Sequence, residues 1–290
     1  MLFISKLLWN RHWNVSTEYK QRISDGFKPV LLTSRFKCNP NAKVEVHTLI
    51  SHYHLFMYIT AIKSLLRFYD DIAVVAHDGD GDLTKEDYAL AKEHIQGIRI
   101  IDRKLADREV KKLLHHFPNC RKYRARIVNS LELLDHILLA RTDKIITMNS
   151  DVLFLQKPEE LIQWISNGKD EIIYVHEDEP ATEKDFFAEV GCNFPAHVTL
   201  ALVCLHKQII DLKLRRSRIA WSHLWTTGQC IYPVLFENQS DKYRIHSFDR
   251  ERNQASGNFK AGAIFRHYWS STDRFFKKHI DDARRVMNEE

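Results

Sequence analysis

Glycine and proline are scarce in this chain, nine and seven among 290 residues. Disordered and low-complexity chains are usually rich in one or both, and no internal period is visible, so an ordered globular protein is expected. No Gly-x-Gly-x-x-Gly follows the first predicted strand and no Gly-Lys-Ser/Thr loop occurs, which removes the usual evidence for dinucleotide and P-loop nucleotide binding. The five cysteines, Cys38, Cys120, Cys192, Cys204 and Cys230, are widely spaced, with no Cys-x-x-Cys. That pattern is neither a zinc site nor a disulfide framework, and it fits a reducing cytosol. No apolar run approaches the roughly 20 residues that span a bilayer.

The start, Met1 to Trp9, is too short for a secretory signal and carries Lys6 inside its apolar run. It reads as a short amphipathic helix, with two fates open: docking on its own domain, or lying on a membrane with Trp9 and Trp13 at headgroup level. The formal charge is +5. Lysine and arginine cluster over 103–126 and 213–218, as suits phosphates, an anionic membrane or nucleic acid, although solvated helix faces account for many of them. No nucleic-acid recognition motif accompanies the charge, so no nucleic-acid partner is expected.

Residues 1–42 read as an N-terminal extension, 43–280 as one domain and 281–290 as a tail. Val44–Ile50 is a predicted strand, followed by helical spacing over Leu55–Phe68. Ile72–Ala76 is a second strand, cut off by His77-Asp-Gly-Asp-Gly-Asp82. That loop fails the calcium template, because its sixth position is Leu83 and its twelfth Ala89, so it reads as a sharp turn. Thr84-Lys-Glu-Asp87 resembles a capping box at the start of a helix. A third strand is expected at Ile98–Asp102, then one helix over 121–139. Further strands are expected at Ile145–Met148, Glu171–Val175 and Val198–Leu205, and a short apolar run at Ala263–Phe265. Strand and helix alternate, which predicts an α/β domain with right-handed crossovers.

The segment Asp143-Lys-Ile-Ile-Thr-Met-Asn-Ser-Asp-Val-Leu-Phe154 concentrates the functional signal. A buried strand runs into Asn149-Ser150-Asp151, and apolar residues follow at once. A carboxylate at a strand end lies where open α/β sheets bind ligands, and near a core it needs a cation or hydrogen bonds. A turn aspartate between two strands is the other reading.

The order of these elements, the Asp-Lys…Ser-Asp-Val-Leu segment and an arginine-bearing helix before it resemble the GT-A glycosyltransferases, in particular the glycogenin-like and lipooligosaccharide galactosyltransferase-like enzymes of glycosyltransferase family 8. The resemblance covers about 43–160 well and 171–280 loosely. It implies a nucleotide-diphospho-sugar transferase fold, a mixed and mostly parallel sheet flanked by helices. It also implies a retaining, metal-dependent transfer of a hexose from a nucleoside diphosphate sugar to a hydroxyl of a glycan or lipid-linked acceptor. The family's Asp-x-Asp motif falls on Asn149 and Asp151, with Ser150 between them as a donor contact, and its later metal histidine on His267. Asp151, His267 and Asn149 would then hold Mn²⁺ or Mg²⁺. A packed histidine beside Tyr268 and Trp269 is the alternative for His267.

The resemblance further implies Arg126 as a donor-binding arginine, with Arg124 or Arg121 as substitutes. Glu177 and His197 would face the acceptor, Asp178 would be a candidate base, and Gln229 would lie near the anomeric carbon. The family's paired aspartates after the first strand are missing; His47-Thr-Leu-Ile-Ser51 stands there, leaving Thr48 and backbone groups to hold a base. The phosphate-binding lysine of its tail is also missing, with Arg274 or Lys277 as replacements. These departures keep a non-catalytic sugar-nucleotide-binding or scaffold protein open. A nucleotidyltransferase would need a glycine-rich basic loop after the first strand, and none occurs. The implied setting is cytoplasmic, with possible peripheral contact at the inner membrane face.

Overall fold

The computed structural model describes residues 16–126, 128–168, 170–178, 192–194, 197–209, 227–255, 259–268 and 273–288, without the side chains of 227–231 and 273–274. The amphipathic start, Met1–Arg11, lies outside the described residues, as do Trp13 and Trp269. The first half contains α1 (Thr17–Phe27), β1 (Phe36–Lys37), β2 (Val44–Ile50), α2 (Leu55–Leu66), β3 (Ala73–Asp78), α3 (Lys85–His94), β4 (Ile95–Gln96), β5 (Arg99–Ile101), α4 (Arg103–Leu113), α5 (Pro118–Arg126) and α6 (Ser130–Leu138). The second half contains β6 (Lys144–Met148), β7 (Val152–Phe154), α7 (Glu159–Asn167), β8 (Glu171–His176), β9 (Val198–His206), α8 (Thr227–Glu237), β10 (Arg244–Ser247), β11 (Asn253–Gln254), β12 (Phe265–His267) and α9 (Asp273–Asn288).

Seven strands form the central sheet in the order β10-β8-β9-β6-β2-β3-β5. The pairs β2–β3, β2–β6, β3–β5 and β8–β10 are parallel, while β9 is antiparallel to both β6 and β8. Since β6 and β8 both oppose β9, they run in the same direction. The carboxyl ends of β2, β3, β6 and β8 therefore share one rim.

Strand side chains alternate between the two faces of a sheet. Ile146, Ile173, Val175 and Cys204 join the core formed with α2, α1 and α9. Their neighbours Ile145, Ile172, Tyr174, Val203 and Leu205 join the core formed with α4, α5, α6 and α8. Helices cover both faces, as a mostly parallel sheet requires. Spacing in α2 predicts one apolar face, yet eleven of its twelve residues are buried, because α1 and α9 pack on the side away from the sheet. A helix enclosed all round belongs to the core, not to a surface layer.

Both faces of β2 are closed. Val44, Val46 and Ile50 join the α2 core, while Glu45, His47 and His77 form a sealed polar seam beneath α6. Glu45 takes a charged hydrogen bond from Arg99 at 2.7 Å and another from the Arg141 amide at 2.7 Å. Burial raises the Glu45 carboxyl, but His47, the Arg141 amide and Arg99 outweigh it and hold the group at about 2. His47 and His77 share a hydrogen bond at 2.8 Å, and His136 of α6 meets Thr147 at 3.2 Å.

The Asp78–Asp82 loop is the expected turn. Asp78 accepts from the amides of Gly81 and Asp82, and Gly81 has φ +73. Both halves of the Thr84–Asp87 capping box are made. The single helix expected over 121–139 is two, α5 and α6, with Val128 and Asn129 in a turn between them. A β-branched residue followed by Asn and Ser favours a turn over an unbroken helix. Helix α9 runs through position 280 without a break.

Candidate donor and cation site

A second, three-stranded sheet has the order β11-β12-β7, with β12 antiparallel to β7. Its register sets His267 opposite Val152, and the Tyr268 amide donates to the Asp151 carbonyl at 3.0 Å. Asp151 sits in the short loop between β6 and β7, at the carboxyl rim of the main sheet. The pairing brings His267 Nε2 to 3.3 Å from Asp151 Oδ1. The His267 side chain is 6% exposed and that of Asp151 18%.

Residues on either side of His267 are tied to α9. Arg266 Nη1 and Tyr268 Oη both donate to Asp282 Oδ2 at 2.8 Å, and Lys278 Nζ donates to Oδ1 at 2.9 Å. Burial pushes the Asp282 carboxyl up, yet the three donors outweigh it and keep it below the ordinary range. The Tyr268 ring also stacks on His279, 4.1 Å between centroids. Supports of this kind fix the orientation of a ligating residue.

Three more ionisable groups sense Asp151. Burial lowers His54 to about 4, with the Asp151 charge opposing, and lowers His279 to about 3 against Asp151 and Asp282. Glu132 is raised to about 8, chiefly by burial and then by the Asp151 charge. Its residue keeps some solvent contact, but Oε2 is sealed. None of the three was singled out in the sequence. His54 follows the first strand closely enough to have been noticed. Glu132 and His279 sit in helical patterns that carry no such signal.

The donor set suits a divalent cation in part. Two cis ligands at about 2.1 Å from an octahedral ion stand roughly 3 Å apart, close to the separation of Asp151 and His267. Among the described residues no three His, Cys, Asp or Glu groups are gathered to hold a metal. Sites that clamp a diphosphate commonly use one or two protein ligands and leave the remaining positions to water and phosphate oxygens.

The other candidates fall in different places. Asn149 lies beside Asp151, and its amide donates to the Ala201 carbonyl at 3.1 Å; Ser150 is buried. Glu177 and His197 meet at the same rim, past the end of β8. The Glu177 amide donates to the His197 carbonyl at 2.8 Å, and His197 Nδ1 donates to the Glu177 carbonyl at 2.7 Å. Asp178 is exposed next to them. Gln229 is in the first turn of α8, with its side chain outside the described residues. Thr48 is not at the rim; it is wholly buried within β2, and its hydroxyl has no hydrogen-bond partner among the described residues. Arg126 is exposed at the end of α5, whereas Arg124 grips Asp135 in two hydrogen bonds of 2.7 and 2.6 Å and Asp107 in one of 2.6 Å. Of the candidates for a phosphate-binding cation, Lys277 is exposed on α9, and the Arg274 side chain lies outside the described residues.

The fold as a whole has counterparts among solved structures. An active-site mutant of LgtC aligns over 84% of this chain and 95% of LgtC, at 11% identity and a TM-score of 0.53. The galactosyltransferase LgtC in complex with donor and acceptor sugar analogs aligns over the same shares, at 11% identity and a TM-score of 0.50. The fold is of the GT-A type. The apo structure of the bifunctional glycosyltransferase WbbM aligns over 88% of this chain and 51% of WbbM, at 13% identity and a TM-score of 0.53. No protein-family model and no curated protein sequence matches the chain. No helix among the described residues is long and apolar enough to cross a membrane.

Proposed function

We propose that this protein is a glycosyltransferase that moves a hexose, with retention, from a nucleoside diphosphate sugar to a hydroxyl of a glycan or lipid-linked saccharide. The observation that carries the reading is the Asp151–His267 pair at 3.3 Å on the carboxyl rim of a GT-A sheet. Asp151 and His267, with the Asn149 side-chain amide as a further oxygen ligand, would hold Mn²⁺ or Mg²⁺. When bound, such an ion offsets negative charge on a leaving diphosphate. Glu177 and His197, at the same rim, would face the acceptor, with Asp178 as a candidate base and Gln229 on the helix that packs on β9. The domain, expected over 43–280, is taken to include α1 and all of α9, since Ile23, Phe27, Ala283 and Met287 join the α2 core. The setting is cytoplasmic, with the start of the chain as a peripheral membrane contact. Sedimentation with anionic vesicles at low and high salt, with and without residues 1–13, tests that contact.

A panel of nucleoside diphosphate sugars, assayed for hydrolysis and thermal shift with and without Mn²⁺, tests the activity. Wild type should shift upward with Mn²⁺ and a nucleoside diphosphate, as binding to the folded state stabilises it. Asp151→Ala should fold, lose the shift and lose transfer. An equal shift in the mutant, or no shift in wild type with any nucleotide, would sink the cation site. A non-catalytic sugar-nucleotide binder is the second reading, favoured by the neutral Asn149 where the family pattern has an acid. Donor binding without hydrolysis or transfer to any acceptor would support it.

A further inference from the structure

Strand β12 is only three residues long, each paired with a residue of β7. A slip of one residue would turn every one of its side chains to the opposite face. His267 would then point away from Asp151, and the main-chain bonds of so short a strand guard against this only thinly. Side chains two apart on a strand share a face, and Arg266 and Tyr268, the residues that flank His267, both turn theirs to α9. A single oxygen, Asp282 Oδ2, accepts from Arg266 Nη1 and from Tyr268 Oη, each at 2.8 Å. All three residues are buried. Arg266 is also fixed from the β11 side, donating to the Lys260 carbonyl at 2.6 Å and to Gln254 Oε1 at 3.3 Å. Tyr268 lies flat on His279, which in turn meets Phe27 of α1 at 4.5 Å between centroids. The Tyr268 amide reaches the other half of the pair, donating to the Asp151 carbonyl at 3.0 Å. One carboxylate on α9 therefore grips the residues before and after His267 and, through Tyr268, the backbone of Asp151.

We propose that Asp282 is a positioning residue of the candidate cation site: through Arg266 and Tyr268 it holds β12 in the register that presents His267 to Asp151. The inference rests on the cation reading above. A charged acceptor strengthens both hydrogen bonds, and only the observed register brings both donors to one oxygen. Lys278 Nζ, 2.9 Å from Oδ1, occupies the other oxygen and takes no part in β12. Helix α9 thus belongs to the machinery of a site whose carboxylate comes from the β6–β7 loop.

The test is Mn²⁺ binding by the full chain without nucleotide, followed by electron paramagnetic resonance, with spin-echo modulation to detect a histidine nitrogen on the ion and metal-free melting alongside. Wild type is compared with Asp282→Asn, Tyr268→Phe and Asp151→Asn. Lys278→Met, which removes the donor on the far oxygen, and Thr84→Ala, at the cap of α3, are controls for lost stability. Asp282→Asn and Tyr268→Phe should each weaken Mn²⁺ binding about tenfold, the usual scale for residues behind a ligand, and lose the nitrogen modulation. Both controls should melt lower yet keep wild-type affinity and modulation. Should Asp282→Asn fail to fold, Tyr268→Phe decides alone, because it keeps the ring on His279 and removes only the bond to Asp282. Unchanged affinity and modulation in the folded variants, while Asp151→Asn loses binding, overturns the role of Asp282 and leaves the cation site standing. Losses that follow melting temperature across all variants, controls included, mark Asp282 as a packing residue and also overturn the proposal. Wild type that binds no Mn²⁺, or binds it without a histidine nitrogen, overturns this inference together with the Asp151–His267 site.

Discussion

Arg124 and Arg126 are two positions apart, and their environments give them different tasks. Arg124 is 10% exposed and holds the 3%-exposed Asp135 carboxylate in a bidentate pair. Removing one partner of such a pair leaves an uncompensated buried charge, so Arg124→Ala should cost about 3 kcal/mol. Arg126, exposed at the helix end, should change stability by no more than about 0.5 kcal/mol when replaced by alanine. Urea denaturation of the two variants checks both values. If Arg126 contacts the donor, its alanine variant loses donor affinity at unchanged stability. An equal loss of stability in both variants would contradict the assigned environments. The motif carboxylate was legible in sequence because a strand of buried residues stops at it. The groups that sense Asp151 were not: His54, Glu132 and His279 come from three separate helical regions, and only the folded packing brings each within electrostatic reach of that carboxylate.

Local signals predicted elements best where the chemistry is local. The Thr84 hydroxyl accepts from the Asp87 amide at 3.2 Å, and the Asp87 carboxylate accepts from the Thr84 amide at 2.7 Å. Thr84→Ala should therefore cost about 1 kcal/mol and fray the start of α3. A melting temperature equal to wild type would show that this cap is redundant. Strand β2 was placed correctly, but the cover on its two faces was not legible. Alternation reports the two faces of a strand, not what covers them, and here α6 lies over Glu45 and His47. The break between α5 and α6 was hidden because apolar spacing continues across it. Strand β12 was visible only as a short apolar run. Its antiparallel pairing with β7 depends on chain far away in sequence, so its neighbour could be reached by resemblance but not by pattern.

Across the whole molecule, burial sets the response to acid. His47, His54, His77, His94, His136, His176 and His279 are all held below the ordinary histidine range, burial being the leading cause in each. Once unfolded, each takes up a proton near pH 6.5. Below that pH the unfolded chain binds more protons than the folded one, so stability falls as pH falls, by up to about 1.4 kcal/mol per pH unit for each fully buried imidazole. Carboxyls raised by burial, Glu132 and to a lesser extent Asp78, Asp80, Asp135 and Glu160, pull the other way from the carboxylate range upward. Seven imidazoles outnumber them, and the melting temperature should drop between pH 6.5 and 5. His136→Leu removes one titrating ring from the seam and should make that drop shallower. A melting temperature that climbs with acid would refute the account. The pairing of β12 with β7 has another consequence, in the order of synthesis. A ribosome adds residues at about 5–20 per second, and it completes Asp151 and all but one strand of the main sheet well before it reaches β12. Until then the nascent chain carries only half of its candidate cation site. A premature stop after β10 would leave every strand of the main sheet but remove His267 and α9, and with them the pair and one wall of the α2 core.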